Sequence, residues 1–72
     1  MIKYRFSLNI SADDWQVFYQ GGIRSIIVRA FNGLKLSIPA RNFIPYVGFT
    51  GIQGTFEITF NEQRKIVRLQ KL

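Results

Sequence analysis

The chain contains neither cysteine nor histidine. Disulfide staples are therefore excluded, and a structural zinc site would lack its usual ligands. The same absences remove the commonest general base, the commonest metal ligand and the best side-chain nucleophile. Acids are scarce as well: Asp13, Asp14, Glu57 and Glu62 are the only side-chain carboxylates. The first two stand at a helix start, Glu57 is expected to pair across strands, and Glu62 falls in a turn. No two of them form the facing pair that acid–base hydrolysis needs, and no Tyr or Ser has an activating base nearby in sequence. The expectation is a non-enzyme without cofactor or metal. No apolar run approaches the roughly 18 residues that span a bilayer, so no membrane role is expected. The opening Met-Ile-Lys-Tyr-Arg-Phe alternates in polarity and lacks the apolar core of a signal peptide, which points to the cytoplasm.

What the chain has in quantity is apolar and basic. Hydrophobic residues make up 47% and aromatics 15% of its 72 residues, enough for one core and too few for two. A single domain over 1–72 follows. Ten basic residues against four acidic ones give a net charge of +6, which favours anionic partners and solubility alike.

The chain is organised around a hairpin from Ile26 to Ile38, folded about Asn32-Gly33, the strongest short-range hairpin signal. A two-residue loop would set Phe31 against Leu34 and Arg29 beside Leu36. A three-residue loop with Gly33 left-handed pairs Ala30 with Leu34, Val28 with Leu36 and Ile26 with Ile38. The second register gives one wholly apolar face and leaves Ile27, Arg29, Lys35 and Ser37 on the other. A one-residue slip would reverse every side chain, so the apolar match decides for the three-residue loop.

Before it, Ile2 to Ile10 alternates without a break, with Ile2, Tyr4, Phe6, Leu8 and Ile10 on one face and Lys3, Arg5, Ser7 and Asn9 on the other. This predicts a half-buried strand. Ser11 then reads as an N-cap, with Asp13 and Asp14 at the positive end of a helix dipole. Trp15, Phe18 and Tyr19 form one aromatic stripe on a helix from Ala12 to Gln20, and Gly21-Gly22 ends it.

After the hairpin, Pro39 and Pro45 bracket Phe43 and Ile44, predicting a helical turn across the end of the sheet. Gly48, Gly51 and Gly54 punctuate a loop that lacks the Gly-Lys-Ser/Thr ending of a phosphate loop. Phe49 has two places open to it, the core or the solvent. In the last hairpin Phe56, Ile58 and Phe60 face inward. A turn over Asn61 to Arg64 would pair Ile58 with Val67, Phe56 with Leu69 and Glu57 with Arg68.

Five strands and one short helix after the first strand predict a mainly β, α+β fold. It is either a five-stranded antiparallel rolled sheet or a small, partly open SH3-like barrel, with the first and last strands as closing neighbours. Read end to end, Tyr4-Arg5-Phe6, Ser11, Tyr19-Gln20-Gly21, Val28, Pro39-Ala40-Arg41, Pro45 and Gly54-Thr55-Phe56-Glu57 resemble a family of short bacterial proteins known only as a domain of unknown function. The resemblance implies a free-standing domain and carries over no catalytic residue.

Two functions compete. Ile27, Phe31 and Ile66 are apolar residues on faces expected to be wet, and an open sheet edge invites pairing, so a protein-interaction or self-associating domain is the first expectation. The alternative is single-stranded RNA or DNA binding. Lys3, Arg5 and Arg68 would form one basic patch if the first and last strands are neighbours, and Arg29 and Lys35 a second beside Phe31. Duplex recognition is disfavoured because the one helix begins with two acids. Arg24, Arg41, Arg64, Lys65 and Lys71 fall at strand ends or turns. Ile27 and Ile66 meeting in one exposed patch would favour the first reading.

Overall fold

The computed structural model describes all 72 residues. Strand β1 (Ile2–Ile10) is followed by helix α1 (Ala12–Gln20), then β2 (Ser25–Arg29) and β3 (Lys35–Pro39). A 3₁₀ helix (Ala40–Tyr46), β4 (Ile52–Phe60) and β5 (Ile66–Lys71) complete the chain. The five strands form two sheets and not one: β1-β4-β5 with β4 in the middle, and the β2-β3 hairpin. The assembly does not close into a barrel. The first and last strands, expected as neighbours, are separated by the whole width of β4.

The local elements follow from their sequences. β1 pairs along its full length with β4, Ile2 opposite Phe60 and Ile10 opposite Ile52. Ser11 caps α1 through its Oγ, which accepts the Asp14 N–H at 3.1 Å. At the other end Gly22 takes φ +79°, and the Ile23 N–H donates back to Phe18 O at 3.0 Å. That is the paired-bond stop a left-handed glycine permits. The stretch between the two prolines runs over seven residues as a 3₁₀ helix, longer than a single turn.

The first hairpin has the three-residue loop and the expected register. Ile26 faces Ile38, Val28 faces Leu36, and the Ala30 N–H donates to Leu34 O at 2.8 Å. Gly33 is left-handed at φ +90°.

The second hairpin corrects the expected register. Its loop repeats the first: the Asn61 N–H donates to Lys65 O at 2.9 Å and the Arg64 N–H to Asn61 O at 3.0 Å. Arg64 occupies the left-handed position, at φ +62°, that glycine fills in the first loop. Phe60 then faces Ile66, but Thr59 faces Arg68, so Val67 is an extra residue in a β-bulge. The bulge lets Ile66 and Leu69 both reach the core face, which simple alternation forbids. Ile58 therefore pairs with Leu69 and Phe56 with Lys71, while Glu57 lies opposite Gln70 and not Arg68.

The core lies between the sheets and under the 3₁₀ helix. Phe6, Phe43 and Phe56, all with no exposed surface, come from β1, the 3₁₀ helix and β4. Phe6 stacks on Phe56 at 5.7 Å between centroids, and Phe43 meets both edge-on. Val28 and Ile38 from the hairpin, Trp15 from α1, Ala40 from the 3₁₀ helix and Ile52 and Ile58 from β4 complete the cluster. Two contacts tie the sheets to their neighbours: the Phe31 N–H donates to Arg5 O at 2.8 Å, and Tyr46 Oη donates to Leu69 O at 2.6 Å.

Two substitutions test this backbone. Arg64→Gly relieves the left-handed strain and is expected to raise stability by about 0.5–1 kcal/mol, seen as a melting temperature several degrees higher. Gly51→Ala should do the reverse. Gly51 has φ +96°, and a Cβ there would collide with Ile10 O and the Ser11 backbone. Its cost should exceed the ~1 kcal/mol of an ordinary Gly-to-Ala mismatch, and an unchanged melting temperature would contradict the packing.

Candidate ligand cleft

The wet face of the three-stranded sheet carries the first predicted basic patch, and the structure divides it. Lys3 lies opposite Thr59, which lies opposite Arg68, so a full strand separates the two cations. Thr59 is 7% exposed, buried in this row between two long basic side chains. Arg5 lies opposite Glu57 and its Nε donates to Glu57 Oε2 at 3.0 Å. Lys3 Nζ reaches the other carboxylate oxygen at 3.9 Å. Glu57 thus neutralises the β1 cations instead of Arg68, which stands unpaired.

The hairpin residues fall as expected. Arg29 and Lys35 face each other across β2 and β3 on the solvent side, a like-charge pair with no carboxylate to relieve it. Phe31 is 66% exposed at the loop, and Ile27 is 71% exposed opposite Ser37. Ile66 does not join them. The bulge turns it inward, where it is half-buried against the core. An exposed Ile27–Ile66 patch is therefore not present, and the exposed apolar residue of β5 is Val67.

The feature that sequence reasoning missed lies in the seam between the two sheets. Where β3 faces the end of β4 and the β4–β5 loop, a hollow of about 370 Å³ opens. Ile2, Tyr4, Leu34, Leu36 and Phe60 line it, with Lys35 and Arg64 at its margin. Phe60 and Arg64 are shared with a second hollow of about 480 Å³, which adds Arg41, Lys65 and Ile66. The two hollows adjoin at Phe60 and Arg64 to form a cleft whose first part has the apolar floor, and their linings together hold four cations: Lys35, Arg41, Arg64 and Lys65. No carboxylate lines either hollow. Both ion pairs in the structure belong to Glu57, so all four cations are unpaired. β3 bonds to a strand on one side only, leaving its other backbone edge without a strand partner.

Lys35, Arg41, Arg64 and Lys65 are exposed, unpaired and gathered at one cleft, so they repel one another with no carboxylate in the lining to offset them. The arrangement suits an occupant that is anionic and carries apolar groups. Tyr4 and Phe60 meet edge-to-face at 6.0 Å, so the floor is a corner of rings and aliphatic side chains and not a flat aromatic platform. Lys35 opens β3 and Arg41 follows its end in the 3₁₀ helix, whereas Arg64 and Lys65 lie in the β4–β5 turn, far away in sequence. Only the packing of one sheet on the other brings them together, and no local signal marks them.

The class defined by these features is a small, basic, mostly β domain with a cationic cleft between two sheets. The chain belongs to the family described as Protein of unknown function (DUF2835), whose model matches residues 2–72. No curated protein and no solved structure matches it. No helix is long and apolar enough to cross a membrane.

The Glu57 cluster gives a direct check on the outer face. Its cations are 61% exposed, so the pairs are largely screened and are worth about 0.5–1 kcal/mol. Glu57→Gln is expected to cost that much in denaturant unfolding at low ionic strength, with the difference shrinking in high salt. A cost independent of salt would assign Glu57 a packing role instead.

Proposed function

We propose that the protein is a non-enzymatic interaction module that takes an acidic, aromatic-bearing protein segment into the seam cleft. The observation that carries this reading is the apolar floor walled by four cations without counter-charges. Its volume falls in the range of roughly 300–1,000 Å³ typical of ligand sites. An extended segment would also find the free edge of β3, which offers backbone pairing to a strand added from outside. Aliphatic lining from Ile2, Leu34 and Leu36 suits side chains better than bases. The exposed rings Phe31 and Phe49 lie outside the cleft and offer no stacking row along its cations.

A fluorescein-labelled peptide of alternating Asp and Phe, titrated by anisotropy, tests the assignment. Arg64→Glu with Lys65→Glu is expected to weaken binding at least tenfold, about 1.4 kcal/mol. Arg68→Glu on the outer face should leave it within a factor of two to three. Equal losses from both would mean that net charge alone attracts the peptide.

The same four cations favour a second reading, single-stranded nucleic acid with its phosphates along the cleft. A labelled single-stranded RNA that holds its affinity at about 150 mM salt, and displaces the peptide, would put this reading first. Binding confined to low salt would be a +6 chain meeting a polyanion.

A further inference from the structure

The pole of the molecule opposite the cleft carries the complementary chemistry. β4 leaves the cleft at Phe60 and ends at Ile52, about 27 Å away for eight steps along a strand. Just before Ile52, Gly48 and Gly51 close a tight turn through two backbone hydrogen bonds, Gly48 N–H to Gly51 O at 2.8 Å and Gly51 N–H to Gly48 O at 3.1 Å. The tip of that turn is Phe49, the most exposed residue of its size in the chain, at 105% of its reference area.

The turn is held firmly. Gly51 lies so close to Ile10 O and the Ser11 backbone that no side chain fits between them. Gln53 binds the turn from below: its amide N–H groups donate to Ile10 O at 3.2 Å and to Thr50 O, and its Oε1 accepts from the Thr50 hydroxyl at 2.8 Å. A wholly exposed phenylalanine on a pre-organised turn adds nothing to this core and has the form of an anchor for a pocket. The Ser11 backbone that Gly51 touches also begins α1, whose first turn holds Asp13 and Asp14. Neither acid has an ion pair, and both are exposed. An exposed aromatic ring and two unpaired carboxylates at one pole match the acidic, aromatic-bearing occupant that suits the cleft.

We infer that the protein docks to a second copy of itself, Phe49 of one molecule entering the apolar end of the next molecule's cleft. Asp13 and Asp14 then meet Lys35 and Arg64. This rests on the reading of the cleft as a site for acidic aromatic segments, and names its partner. Because knob and socket lie at opposite poles, the contact is heterologous, so it builds short head-to-tail series and not a single two-fold dimer.

Sedimentation velocity from about 10 μM to about 1 mM protein reads this directly, with an average mass that climbs with concentration through more than one oligomer. Phe49→Ser removes the knob and Arg64→Glu the socket; both positions are exposed, and a cooperative melt confirms folding. Should Arg64→Glu perturb the loop, Lys35→Glu replaces it. Each variant alone is expected to be monomeric. Mixed, they should form a one-to-one complex that grows no further, since one supplies a live socket and the other a live knob. A wild-type monomer throughout, association unchanged by Phe49→Ser, or no complex on mixing would overturn the proposal. If the Asp-Phe peptide still binds the cleft in that case, only self-docking has failed; if it does not, the cleft reading falls with it.

Discussion

Three phenylalanines with no solvent contact hold this molecule together. Phe6 from β1, Phe56 from β4 and Phe43 from the 3₁₀ helix stack and abut within 6.2 Å of one another. Tyr46 adds its ring edge to Phe56 and its hydroxyl to the backbone of β5. Emptying one such site costs about 3–5 kcal/mol. A domain of this size is stable by roughly 4–11 kcal/mol in all. Every other element is placed relative to this knot: the β1-β4 pairing aligns two of its members, and the 3₁₀ helix that follows β3 without a break delivers the third.

The same knot explains why the strands do not close into a barrel. The 3₁₀ helix carrying Phe43 runs between β3 and β4 in sequence and contacts both β3 and β5. It occupies the place where a closing strand contact between the two sheets would form. On the β1 side the gap is bridged by a single backbone bond from Phe31 to Arg5. On the β3 side the gap stays open at its outer end, and apolar side chains that a closed barrel would bury line it. The cleft is thus a consequence of how the core is filled. Its cations are a separate matter, because a cluster of unpaired positive charge raises the free energy of the fold and stabilises nothing within it.

Local periodicity carried much of the architecture. The unbroken alternation from Ile2 to Ile10, the Ser11 cap with its two acids, and Asn32-Gly33 between two apolar runs each specify an element whatever surrounds it. What the residues could not announce was the bulge at Val67. Read by alternation, Ile66 and Leu69 fall on opposite faces, and choosing Leu69 for the core put Ile66 outside. The left-handed Arg64 hid the turn type, since an arginine there lacks the glycine mark that made the first loop legible. The slip propagates: it gives Glu57 the wrong partner and sets Ile66 on the wet face with Ile27, while the expected strand order alone brings Lys3 beside Arg68. The cleft was illegible for a different reason. Lys35 and Arg41 at the two ends of β3 meet Arg64 and Lys65 of the β4–β5 turn only through the packing of one sheet on another, which leaves no spacing in the chain. Alternation assigns Phe49 neither to core nor to solvent; the structure exposes it fully on a turn that packs through Gly51 against the end of β1.

The functional account reduces to a polarity: an apolar, cation-walled cleft at one pole and an exposed phenylalanine near two free acids at the other. The measurement that bears most directly on it is a ¹⁵N–¹H correlation spectrum recorded while the Asp-Phe peptide is added. The account predicts that shifts concentrate at Tyr4, Leu34 to Leu36, Phe60, Arg64 and Lys65, with Lys3, Arg5 and Arg68 nearly still. Shifts that spread over every basic surface, or that gather on the outer face of the β1-β4-β5 sheet, would contradict it.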